Sequence, residues 1–82
     1  MPHSNTTRLS DQEIADLVSI WIRRLSLFAR QWTDSVDDVV QEVFLKLYRL
    51  EARPDDIAVW LFKTTRSVAV VSRHSETARG RN

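Results

Sequence analysis

Apolar residues recur along most of this chain at alternating steps of four and three, and that spacing leaves little room for anything but helices. Ile14, Val18, Trp21, Leu25, Phe28 and Trp32 keep the rhythm without a break. Such steps set side chains on one stripe of an α-helix, so they predict a helix of about five turns with one buried face. Ser10 followed by Glu13 predicts its start, because in a capping box each side chain satisfies the other's unpaired backbone N–H. A second stripe, Val36, Val40, Val43, Leu47 and Leu50, comes after Thr33-Asp34-Ser35, with Ser35 and Asp38 expected to cap it. Asp37 and Asp38 stand in its first turn and Lys46 and Arg49 in its last turns, each sign at the end the helix dipole favours. Pro54 punctuates the loop that follows. Beyond it Ile57, Leu61, Thr64, Val68 and Val71 repeat the spacing, with Asp55 or Asp56 as the cap.

The third segment is rich in β-branched residues, and Thr64 to Val71 would suit a strand on propensity alone. The four-three stripe and the lack of any partner strand decide for helix. The expected fold is therefore all-α: a small antiparallel bundle of three main helices. We draw its boundaries as a flexible arm over residues 1–9, a helical domain over 10–75, and a basic tail or linker over 76–82. A chain of 82 residues is one small domain, and 43% hydrophobic with 28% charged residues is a composition that folds.

Composition also removes whole classes of chemistry. With no cysteine there is no disulfide framework and no thiolate metal site, and the single glycine, Gly80, makes no phosphate-cradling loop. No apolar run is long enough to span a membrane and no signal peptide precedes Ser10, so a cytoplasmic location is expected. The two histidines, His3 and His74, stand in the arm and near the end of the third helix, which leaves no nucleophile–base pair to assemble. The pairs Asp37/Asp38 and Asp55/Asp56 read as caps rather than acid–base machinery. We expect no enzyme, no metal and no cofactor.

Net charge is only +1, yet it is unevenly spread. Residues 34–56 carry seven acidic side chains against three basic, and residues 57–82 five basic against one acidic. Two faces stand out. One is the acidic side of the second helix, with Asp38, Gln41, Glu42 and the apolar Leu45; its plain alternative is a solvated face beside core valines. The other is the third helix's Trp60, Lys63, Ser67, Val70 and His74, flanked by Arg66 and Arg73. Cations and aromatics on one face neutralise phosphates and stack on unpaired bases, although Trp60 also suits the core.

The run Asp38-Val39-Val40-Gln41-Glu42-Val43-Phe44-Leu45-Lys46-Leu47-Tyr48, followed by Trp60-Leu61-Phe62-Lys63 and Arg66, resembles region 2 of bacterial RNA polymerase sigma factors of the extracytoplasmic-function group. The resemblance spans roughly Ile14 to His74. It implies a helical bundle that docks on the clamp helices of the largest subunit of core RNA polymerase. It also implies that the bundle reads the non-template strand of the −10 promoter element as the duplex opens. By motif position Asp38, Gln41, Glu42 and Leu45 would face polymerase, with Phe44 shaping that helix. Arg53 in the loop and Trp60, Lys63, Arg66, Ser67, Val70, Arg73 and His74 along the third helix would face DNA. The loop Glu51–Ile57 would correspond to the family's pocket for an unstacked base.

This chain departs from the pattern at Ser67, where the family carries Asn, at Thr65, where it carries Ala, and in a loop without an aromatic residue. The family's second domain, which reads the −35 element, does not fit in 82 residues. The resemblance also makes an anti-sigma factor a candidate partner. Two other classes stay open: a helical interaction module that binds polymerase or an anti-sigma partner without reading DNA, and an independent duplex-DNA binder. The second lacks a helix-turn-helix and a strong positive charge.

Overall fold

Helix α1 (Asp11–Ala29) begins where its cap predicts. The Ser10 hydroxyl accepts from the Glu13 N–H at 3.1 Å, and the Glu13 carboxylate accepts from the Ser10 N–H at 2.9 Å. The computed structural model describes residues 8–80, with side chains described as far as Ser72. Two more helices follow, α2 (Val36–Arg49) and α3 (Ile57–Gly80), and no strand occurs among the described residues. Each helix packs against both others, so the predicted all-α bundle of three helices is what the chain forms.

Helix α1 stops at Ala29, a turn short of the predicted Trp32. The Arg30 N–H still reaches Ser26, but Gln31 and Trp32 donate to carbonyls three residues back, which tightens the chain into a turn. Thr33 is buried there, and its hydroxyl accepts from the Ser35 N–H at 3.0 Å. This corrects the expected cap. Ser35 makes no side-chain cap bond to α2, and the turn's own Thr33 sets the entry instead. At α3 the capping residue is Asp56, whose carboxylate accepts from the Val59 N–H at 3.1 Å.

The core is small and built chiefly on α2. Val39, Val40, Val43, Phe44 and Leu47 are buried from α2, Leu25 and Ala29 from α1, and Leu61 and Ala69 from α3. Burying each Leu contributes about 1.5–3 kcal/mol. In α3 the buried row is Leu61, Thr65, Ala69 rather than the predicted row through Thr64 and Val71. Thr65 and Ala69 are small, and small side chains facing a neighbour let two helices approach closely. Val71 is 65% exposed, a correction to its core assignment. Helix α3, at 24 residues, outruns α2 at 14, so its far turns have less of α2 to pack on.

On the α1–α3 side, Trp21, Phe62, Phe28 and Trp32 form a chain of edge-to-face contacts with centroids 5.8, 5.0 and 4.9 Å apart. Each such pair adds about 0.5–1.5 kcal/mol beyond area burial. The arm is tied down at its described end, where Arg8 donates to the Tyr48 carbonyl and lies over the Tyr48 ring. Helix α3 continues to Gly80, past the boundary placed after residue 75.

Candidate protein- and nucleic-acid-binding faces

With five side chains of α2 committed to the core, periodicity decides what the helix has left to offer. Asp38, Gln41 and Leu45 are exposed and Glu42 is half-buried. Phe44 is 8% exposed and belongs to the core, which suits a shaping role and not a surface contact. The candidates do not form one patch. Gln41, Phe44 and Leu45 line a groove of about 620 Å³ between α1 and α2. Asp38 and Glu42 line a second groove of about 410 Å³ on the other side of the helix, between α2 and α3.

The first groove is apolar. Ile14, Val18 and Val40 line it together with Phe44, while Ile22, Leu45 and Tyr48 stand at 44%, 42% and 48% exposure. Asp37 and Ser26 also line it. Tyr48 and Ile22 were missed in the sequence, although Tyr48 follows Gln41 by seven positions and Leu45 by three, the spacing of one helical face. In the second groove Glu42 pairs with Lys46 at 3.6 Å, both about half exposed, and Ser67, Val68, Val71 and Ser72 form the opposite wall.

On α3, Lys63, Arg66 and Ser67 are exposed and Trp60 and Val70 half-buried. Val59, Lys63, Arg66 and Val70 follow one another on the outer side at helical spacing; Val59, 46% exposed, was missed. Trp60 packs against the core cluster, so it serves the bundle as well as the face. Ser67 shares its groove with Asp38 and Glu42, whose negative charge opposes phosphate on that side. Arg73 and His74 lie outside the described side chains.

Arg53 does not join the outer row of α3. Its guanidinium donates to the Glu13 carboxylate at 2.7 Å, tying the α2–α3 loop to the first turn of α1. The Ser10 backbone N–H, and after it the Arg53 guanidinium, hold the Glu13 carboxyl below the usual carboxylate range. That loop meets α1 in a shallow hollow of about 190 Å³, lined by Leu9, Leu17 and Ile57 with Glu13, Asp16 and Arg53.

Among the described residues no cluster of three or more His, Cys, Asp or Glu side chains is placed to hold a metal ion, and no helix is long and apolar enough to cross a membrane. In comparisons with known proteins, no family model, no curated protein and no solved structure matches the chain.

Proposed function

We propose that this domain is a transcription-initiation module of the sigma region 2 type, which binds core RNA polymerase through α2 and contacts the opened −10 promoter element through α3. The observation that carries the reading is the division of labour within Asp38–Tyr48. The residues that the resemblance assigns to polymerase, Asp38, Gln41, Glu42 and Leu45, remain accessible, while Val39, Val40, Val43, Phe44 and Leu47 hold the bundle together. Leu45, with Gln41 beside it, offers a partner helix a small apolar anchor, and the carboxylates of Asp38 and Glu42, on the other side of α2, steer a basic partner toward that helix. Lys63 and Arg66 on the outer face of α3 neutralise phosphates, and Trp60 supplies a stacking surface at its edge. The module works without a cofactor, in the cytoplasm, and an anti-sigma factor would compete for the same surfaces.

The test is co-purification with core RNA polymerase. The wild-type domain is retained, and Glu42→Lys, which reverses a charge away from the buried stripe, is not. Equal retention of the two rejects the interface.

A second reading, an interaction module that does not read DNA, draws on two observations. Arg53 is engaged by Glu13, and the carboxylates of Asp38 and Glu42 share a groove with Ser67. Affinity for single-stranded −10-like DNA separates the readings. On the first, Lys63→Ala with Arg66→Ala weakens binding and lowers its salt slope by up to about 1.4. On the second, there is no affinity to lose.

A further inference from the structure

The open side of the α1–α2 pair has two properties that together name an occupant. Its centre is apolar: Ile22, Leu45 and Tyr48 each stay more than 40% exposed over a floor that includes Val18 and Phe44. Apolar side chains exposed side by side along a groove suit docking. Beside one end of the groove stand both signs of charge. Arg30, the exposed C-cap of α1, keeps helical backbone geometry and its N–H donates to the Ser26 carbonyl, so it continues the row Ile14, Val18, Ile22, Ser26 just past the groove's lining. The α2 wall carries Asp37 at the same end. Arg24 is turned elsewhere, over the Trp21 ring at 5.5 Å.

We propose that this face docks a second copy of the same chain. A two-fold axis along the groove lays α1 of one copy over α2 of the other and, by symmetry, the reverse. Helices α1 and α2 run antiparallel, since Ile14 near the start of one and Tyr48 near the end of the other share the groove. The axis keeps that relation between copies, so the four helices form a bundle in which every adjacent pair is antiparallel. Ile22, Leu45 and Tyr48 of both copies then fill the joined grooves. Arg30 of each copy meets Asp37 of its partner, so the charges match twice over. An unrelated partner helix would have to supply both the apolar ridge and the matching charges; a second copy carries them already.

The proposal does not rest on the polymerase reading. Where both hold, the dimer covers Gln41 and Leu45 and leaves Asp38 and Glu42 outside, so self-association and polymerase would compete for one side of α2.

Sedimentation equilibrium of the 82-residue chain, over about 10 µM to about 1 mM, tests it in the range where a small interface reports. The expected result is a mass rising with concentration from 9.6 kDa toward twice that value. Leu45→Lys should stay at the monomer mass with unchanged helical circular dichroism. Asp37→Arg and Arg30→Glu should each loosen the dimer about tenfold, since each reversal spoils two symmetry-related pairs, and the double variant should recover most of that loss. A monomer across the whole range overturns the proposal and leaves the groove to a different protein. A dimer indifferent to Leu45→Lys, or a double variant that is folded and no tighter than the singles, overturns it as well.

Discussion

Helix α2 has a groove on each side, and the two are finished differently. Toward α3, the buried side chains that helix supplies beyond Leu61 are small, Thr65 and Ala69, and the rim is charged or hydroxylic except for the exposed Val71. Toward α1, the floor is apolar and so is much of the rim, with Ile22, Leu45 and Tyr48 left in water. Both sides carry packing, since α2 packs against α1 as well as α3, but the α1 side leaves several large apolar side chains exposed on its rim and is in that sense unfinished. A domain that buries only about 60% of its unfolded surface leaves apolar side chains like these in contact with water. On one helix, and sometimes one position apart, residues that maintain the bundle stand beside residues left exposed along a groove.

The largest effect should come from the finished side. Leu47 is 1% exposed, so Leu47→Ala removes a buried side chain and leaves a cavity, which costs about 2–5 kcal/mol in a denaturant titration. Leu45, two positions earlier, is 42% exposed, and Leu45→Lys should change monomer stability by no more than about 0.5 kcal/mol. A Leu45→Lys cost approaching that of Leu47→Ala would break the comparison, because Leu45 would then belong to the core.

The next effect is a gain. Thr65 is fully buried and its hydroxyl has no hydrogen-bond partner. An orphaned buried hydroxyl is a desolvation cost with nothing to offset it. Thr65→Val keeps the shape and removes that cost, so it should raise stability by about 1 kcal/mol, read as a higher urea midpoint at unchanged slope. A lower midpoint would mean that the hydroxyl is satisfied in solution and that the finished side is wetter than its geometry implies.

Thr65 also marks where the sequence could be read and where it could not. The stripe on α2 was legible because its buried residues are apolar and keep the helical period, and the start of α1 because a capping box is a local pattern. The buried row of α3 was not, because Thr and Ala enter a core for their size against a neighbouring helix, which no single-helix pattern encodes. The end of α1 was missed for a related reason. Trp32 continues the apolar stripe in sequence, yet it packs from a turn, against Phe28 at 4.9 Å. Of the candidate interface on α2, sequence supplied the exposed members but not their division between two grooves, which depends on where α1 and α3 sit. The pairing of Arg53 with Glu13 joins residues forty positions apart, and no local signal announces it.

The smallest effect is the most local. Glu13 joins two partners, completing the capping box with Ser10 and accepting from Arg53, and it stands one residue before Ile14, which lines the unfinished groove. Its carboxyl titrates below the usual range because the charged form accepts these bonds. A group whose folded pKa is depressed contributes its full stabilisation above its unfolded pKa and loses it as pH falls through the folded one. Between those two values, acid should therefore loosen the first turn of α1. It should do so without touching the packing of α2 on α3, which holds no titrating group among its buried residues. Hydrogen exchange at acidic pH checks this, with intrinsic rates corrected for pH. The Glu13 and Ile14 amides should lose protection first, while those of Val43 and Leu47 keep theirs. In Glu13→Gln the pH dependence at the first turn should vanish. Simultaneous loss at both sites would mean that the two sides of α2 open as one cooperative unit, and the distinction between a finished side and an open side would have to be abandoned for the acid-loosened domain.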